Sequence, residues 1–343
     1  MEKYKVGYSF IVMASVVIVL AGIKNASEIV IPILLAMFLA IILSPAYDFF
    51  RKKGLPDVVS LILVMLFFTI FLSLVASLLG SSVDEFSSNI DLYSQRLTGY
   101  FQDIKNFALS IGVKLPIDEL SSISSKQIML FATSILKSMS SVFTNGFIVL
   151  FILIFMLLES NHFIEKISYA DSLSWSVNQI KEIVSKIKEY MVLKAIISVF
   201  TGFVIWIALL LIGTDYAFLW AVLAFLLNFI PNIGSIIAAV PAVLLTLVQL
   251  GAISAVLVAG IYLSVNIVIG SIVEPKVMGR GLGLSSLVVF LSLIFWGWLL
   301  GAIGMLLSIP LTIIAKIVFD ANEKTKWIAI LLGTGKYLKE EKS

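Results

Sequence analysis

The chain has 343 residues, 60 % hydrophobic and 13 % charged, with 24 Lys and Arg against 21 Asp and Glu and a net charge of +3. A soluble domain is about half apolar and a quarter charged, so this composition, with a mean hydropathy of +1.09, excludes one. The absence of cysteine excludes a disulfide or a thiolate metal site, and with His162 as the one histidine a His-based metal cluster or a Ser-His-Asp triad is not expected.

Apolar blocks predict membrane segments at 7–23, 29–47, 58–80, 142–158, 192–213, 216–250, 253–273 and 284–319. A helical crossing needs ~20 apolar residues, and these runs lack the two-residue alternation of barrel strands. The predicted fold class is all-α: a polytopic transmembrane helical protein of about eight membrane segments. Met1–Lys5 and the run Val6–Ile23 resemble a signal peptide, but a second apolar run follows almost at once without a convincing small-residue cleavage site, so a retained first span is expected. Blocks 216–250 and 284–319 are too long for one straight crossing and are interrupted by Gly or Pro; each is a broken span or a re-entrant hairpin. The expected organisation is N-terminal spans (1–80), an extracytoplasmic amphipathic segment (81–141), a fourth span with a cytoplasmic amphipathic helix (142–191), a transport core (192–319) and a cytoplasmic tail (320–343).

Lysine and arginine set the orientation. Lys3 and Lys5, the Arg51-Lys52-Lys53 cluster, and Lys324, Lys326, Lys336, Lys339 and Lys342 fall on one side after even numbers of crossings. That side is the cytoplasm, with both termini in it. The cluster is too short for a nucleic-acid partner. If both long blocks are hairpins, Lys276 and Arg280 are also cytoplasmic.

Phe86, Ile90, Tyr93, Leu97, Tyr100, Ile104 and Phe107 form a heptad stripe, ended by Gly112 and Pro116. It reads as an oligomer contact or solute vestibule, or as a hairpin packed on itself. Ser124-x-x-Gln127 is a capping-box pattern before the fourth span. Ile180, Ile183, Val184, Ile187 and Tyr190 make an apolar face running into the fifth span, suited to the membrane interface.

The stretch Asn228-Phe-Ile-Pro231-Asn232-Ile-Gly234-Ser235 sets polar side chains around a proline that frees backbone groups inside an apolar block. Irregular backbone at membrane depth is tolerated only where protein or water covers it. Asn228, Asn232 and Ser235 are therefore candidate substrate or ion ligands; a surface turn is the structural alternative. Gly234 and Pro241 in this block match Gly304 and Pro310 in the other, the paired interruption that marks transporter repeats; these and Pro231 are hinge or turn candidates. Asn266 and Glu274 lie at an apolar span and its end, and Arg280 follows, a possible partner for Glu274. An interfacial, hydrated turn is the alternative there. Glu159, Lys194 and Lys316 read as snorkelling side chains at helix ends. Trp296 and Trp298 mark a hairpin tip or a stacking site.

The stretches YMVLKAIISVFTGFVIW from Tyr190, FLWAVLAFLLNFIPNIGSIIAAVPAVL from Phe218 and EPKVMGRGLGLSSLVVFLSLIFWGWLLGAIGMLLSIPLTIIAKI from Glu274 resemble the autoinducer-2 exporter family. The likeness covers nearly the whole chain and is weakest in 81–141 and the tail. It implies a multi-span bacterial inner-membrane protein that exports the quorum-sensing signal autoinducer-2, with effects on biofilm. It also implies a homo-oligomer, a pentamer among the possibilities. Some members resemble sodium/proton antiporters, so three expectations stand. The first is export of autoinducer-2 or a similar small polar solute between the two interrupted blocks, driven by Na+, H+ or downhill flow. The second is cation/proton antiport at Glu274, and the third an oligomeric membrane scaffold acting through the 86–107 stripe. With no P-loop, nucleophile–base pair or metal cluster, no cofactor and no enzyme activity are expected.

Overall fold

The computed structural model describes residues 2–112, 127, 130, 133–134, 146–169, 177–231, 233–277, 283–320 and 322–333. The capping-box Ser124, and with it Pro116, lies outside them. The helices are α1 (Glu2–Asn25), α2 (Ser27–Lys52), α3 (Asp57–Ser88), α4 (Ile90–Ser110), α5 (Gly146–Tyr169), α6 (Val177–Ile212), α7 (Ala217–Leu227), α8 (Gly234–Leu250) and α9 (Ala252–Val265). A π-helical stretch (Asn266–Val273) and α10 (Glu274–Val277) continue α9; α11 (Ser286–Leu306), α12 (Ser308–Asp320) and α13 (Lys326–Leu332) follow among the described residues. The protein is all-α and polytopic. Among the described residues five helical segments are long and apolar enough to cross a membrane: Ser27–Lys52, Asp57–Ser88, Val184–Ile212, Ala252–Val273 and Ser286–Leu306.

Helix α3 passes the expected span end at 80 and runs to Ser88, where the hydroxyls of Ser81 and Ser82 are satisfied by the Leu78 carbonyl within the helix. Helix α6 is unbroken through 191/192, the amphipathic face running into the fifth span. Its 36 residues span ~54 Å at ~1.5 Å per residue, well beyond a ~30 Å hydrocarbon core.

The chain divides into two compact units, one of Met1–Val64, Phe147–Leu193 and Arg280–Ser343, the other of Met65–Gly146 and Lys194–Gly279. In the first, α1, α2 and α11 pack together, and α11, α12 and α13 pack in series. Lys188 pairs with Asp48 at 3.0 Å. Block 284–319 folds back on itself: Gly301 breaks α11 with φ 64° and ψ −148°, a backbone region reserved for glycine. Trp296 Nε1 then donates to Thr312 Oγ1 across the fold at 2.9 Å, and Lys316 Nζ to the Gly283 carbonyl at 2.7 Å, so the block begins and ends at one level. Trp296 thus ties the two arms together near the tip.

In the second unit, block 216–250 is also a hairpin. Its base is closed by polar contacts: Asp215 N–H to Gln249 Oε1 (2.9 Å), Gln249 Nε2 to the Gly213 carbonyl (3.2 Å) and Thr214 Oγ1 with Thr246 Oγ1 (3.1 Å). Its arms, α7 and α8, meet at the turn Asn228–Ile233, where Gly234 lies so close to α7 that a Cβ would sit 1.8 Å from the Leu227 carbonyl oxygen. Phe86, Ile90, Tyr93 and Leu97 of the heptad stripe are buried in this unit's core with Trp220, Leu223 and Leu245. Phe86 stacks on Tyr93 and meets Tyr216 and Trp220 edge-on. Burial, then the hydrogen bond with Tyr216, push the Tyr93 phenol above its ordinary range. The stripe caps the hairpin base; the side chains of Ile104 and Phe107 are outside the described residues. Of the second amphipathic face, Ile187 and Tyr190 are buried and Val184 is exposed.

Candidate functional site

Three elements of the second unit bring polar groups together inside an apolar surround. On α6, Lys194, Ser198 and Thr201 follow at steps of four and three, one face of a helix, and all three are buried. The α7–α8 hairpin supplies Asn228 and Ser235. From α9 onward Tyr262, Asn266, Gly270 and Glu274 recur every four residues. Asn228 Nδ2 donates to Ser198 Oγ at 2.9 Å. Thr201, Asn228, Ser235, Tyr262, Asn266 and Gly270 line one small cavity.

Helical rise sets its depth. Thr201 is ~17 Å from Ile212 along α6, and the 11 residues of α7 carry the hairpin tip ~16 Å from its base. Both distances are about half a ~30 Å hydrocarbon core. The tip thus stands about half a hydrocarbon-core thickness from the hairpin base.

The cavity has ~10 Å³ of room, enough for one water molecule. The Tyr262 hydroxyl is buried there without a hydrogen-bond partner. Asn228 and Asn266 each carry amide donors and an acceptor, and Ser235 and Tyr262 hydroxyls both donate and accept. Such a lining suits a neutral, hydroxyl-rich solute. A second, open groove of ~350 Å³, lined mostly by apolar side chains of α8 and α9, shares Ser235, Tyr262 and Asn266 with the cavity.

Lys194 corrects the sequence reading. It is not at a helix end but inside α6, its side chain 4 % exposed, and Nζ donates to Glu274 Oε1 at 2.6 Å. Glu274, 21 % exposed, thus pairs with a lysine 80 residues earlier. Arg280 and Asn232 lie outside the described residues. Glu159 is exposed in α5, where the apolar part of that helix ends, and Lys316, within α12, donates to the Gly283 carbonyl. Asn228, Ser235 and Asn266 come together; Glu274 lies beyond the cavity. Pro231 and Gly234 form the tip, and Pro241 is buried within α8. Gly304 and Pro310 are buried in the first unit's hairpin. Ser198, Thr201 and Tyr262 were missed as site residues; their signal was a one-sided polar series in an apolar span. Among the described residues no cluster of three or more His, Cys, Asp or Glu could hold a metal.

Two helical hairpins, each in its own unit, and a polar cavity in an apolar surround belong to a polytopic α-helical membrane protein. The chain belongs to the AI-2E transporter family, whose profile, described as AI-2E family transporter, matches residues 11–324. It is similar to the AI-2 transport protein TqsA of Escherichia coli (strain K12), 39 % identical over 326 residues and covering 94 % of each chain. It is 37 % identical over 329 residues, 94 % of each chain, to a putative transport protein of Haemophilus influenzae. With the putative transport protein YhhT of Escherichia coli (strain K12) it shares 36 % identity over 326 residues, 94 % of this chain and 93 % of that one.

Proposed function

We propose that this transporter exports autoinducer-2 or a closely similar small polar signal through the cavity between α6, the α7–α8 tip and α9. The carrying observation is the convergence of Asn228, Ser235, Asn266 and the unpartnered Tyr262 hydroxyl on one small cavity. A hydroxyl-rich solute recovers there some of the hydrogen bonds it gives up on leaving water. Room for one water describes a closed state, so α6 and α9 part to admit the solute. The similarity to a protein named for AI-2 transport supports the substrate.

The alternatives have less to stand on. As a sodium site Glu274 is compromised, because Lys194 already neutralises it. A scaffold acting through the 86–107 stripe would need that stripe exposed, yet Phe86, Ile90, Tyr93 and Leu97 are spent on internal packing. We place the protein in the bacterial inner membrane with both termini cytoplasmic, as a homo-oligomer without cofactor or enzymatic activity, with 192–319 as transport core. Six crossings and two hairpins put the lysine-bearing ends, including Lys276, on the cytoplasmic side.

The test is autoinducer-2 in the medium of a producing strain lacking its own exporters. Expressing this chain raises it. Asn228→Leu, present at equal level in the membrane, does not. Equal release by that variant would contradict the site.

A further inference from the structure

We propose that the polar cavity and the open groove beside it form one binding site for a neutral amphiphile. A hydroxyl or amide head sits at Ser235, Tyr262 and Asn266, and a single alkyl chain of medium length lies along α8 and α9. The support is the shape of the site, so the inference stands apart from the export of autoinducer-2.

Helices α8 and α9 pack along one another on either side of Gly251. Ser235 lies sixteen residues before Gly251 and Asn266 fifteen after it; Leu244 lies seven before and Ala259 eight after. Where the chain folds back, Ser235 is therefore level with Asn266 and Leu244 with Ala259, and all four line the groove of ~350 Å³. The polar groups gather at one end. The apolar lining extends ~14 Å from Ser235 to Leu244 at ~1.5 Å per residue. An extended chain of about ten carbons covers most of that length.

The polar end asks for a head that hydrogen-bonds. Tyr262 is 5 % exposed and its hydroxyl has no partner, and Ser235 and Asn266 face the groove as well as the cavity. A pure hydrocarbon in the groove leaves the hydroxyl unpaired, whereas a group that donates and accepts pairs it. The head is uncharged. Helices α7, α8 and α9 and the π-helical stretch hold no Asp, Glu, Lys or Arg, and Glu274 is already engaged with Lys194. An ionic head, such as that of a phospholipid, would be buried there without a counter-ion.

The bilayer is the source of the ligand. The segment Ala252–Val273 is long and apolar enough to cross a membrane, and Ile236, Val240 and Leu263 on the groove are exposed. An alkyl tail gains little on passing from acyl chains to an equally apolar groove, so the head decides. Among acyl chains a hydroxyl lacks partners, and the cavity offers them. The amphiphile and a small solute use the same three side chains, so each excludes the other.

The test uses the full-length protein in phospholipid vesicles and a decanediol with both hydroxyls at one end and a diazirine midway along the chain. After irradiation, mass spectrometry identifies the labelled peptides. Label is expected to concentrate on α8 and α9, and to fall several-fold with excess unlabelled decanediol but not with excess decane. Ala259→Trp, at an exposed position, fills the apolar end and is expected to remove the label; Leu257→Trp, exposed outside the groove, is expected to keep it. Asn266→Leu is expected to raise the diol concentration that half-saturates labelling about fivefold, the worth of one hydrogen bond. Label spread evenly over α3, α8 and α9, decane displacing it as well as the diol does, or label unchanged in both Ala259→Trp and Asn266→Leu overturns the proposal. So does an unlabelled groove, the result if a second copy of the chain covers it. Labelling needs no transport, so failure of autoinducer-2 uptake with the label intact counts against the export reading alone.

Discussion

The Cα of Gly234 packs against the carbonyl of Leu227 so closely that a Cβ would lie 1.8 Å from that oxygen; in the other hairpin a Cβ on Gly304 would lie 2.0 Å from the Trp296 carbonyl oxygen. In both hairpins a glycine removes the side chain at the point where the second arm leaves the first. Since a backbone oxygen cannot rotate aside, Gly234→Ala should cost at least the ~1–3 kcal/mol of overpacking. The helical Gly260, with nothing within 4 Å of its would-be Cβ, is the control. Its alanine variant should be neutral or stabilising by up to ~1 kcal/mol. Thermal unfolding of the purified proteins in detergent reads both.

The Asn228–Ser198 hydrogen bond predicts non-additivity. Ser198→Ala and Asn228→Leu should each destabilise, and the double variant should recover about 1 kcal/mol of the summed loss, the usual net worth of such a bond. A double-mutant cycle on unfolding checks it; strict additivity would mean the two side chains act separately.

Tyr262→Phe separates function from stability. The hydroxyl is buried without a partner, so its removal should leave stability unchanged or raise it by ~1–3 kcal/mol. Transport should nevertheless weaken, through a higher KM, if the hydroxyl meets the solute. A variant with lower stability and an unchanged KM would assign it a structural role.

Much of the fold was legible because a bilayer imposes its own lengths. Runs near span length located most helices, and the paired Gly234/Pro241 and Gly304/Pro310 interruptions marked both blocks as broken spans or hairpins without deciding between the two. Asn228, Ser235 and Asn266 were visible as polar residues in apolar blocks. Lys194 was not, since its sequence neighbourhood matches that of a snorkelling lysine and its partner Glu274 is 80 residues away. Nor could periodicity say what the 86–97 stripe packs against, because an oligomer seam and an internal core demand the same spacing.

That stripe gives a further prediction. Leu97 is fully buried and Leu92, on the same helix, is exposed. Leu97→Ala should cost ~2–5 kcal/mol through the cavity it leaves, and Leu92→Ala less than ~0.5 kcal/mol. Chemical or thermal unfolding distinguishes them; the reverse order would place the stripe outside the core.

The most direct test of the central claim is the saturable uptake of labelled autoinducer-2 into proteoliposomes by wild type and by Asn228→Leu, with folded protein verified in each. The account predicts saturable uptake by wild type and its loss in the variant. Equal saturable uptake by both proteins would contradict passage of the solute through the cavity at the hairpin tip.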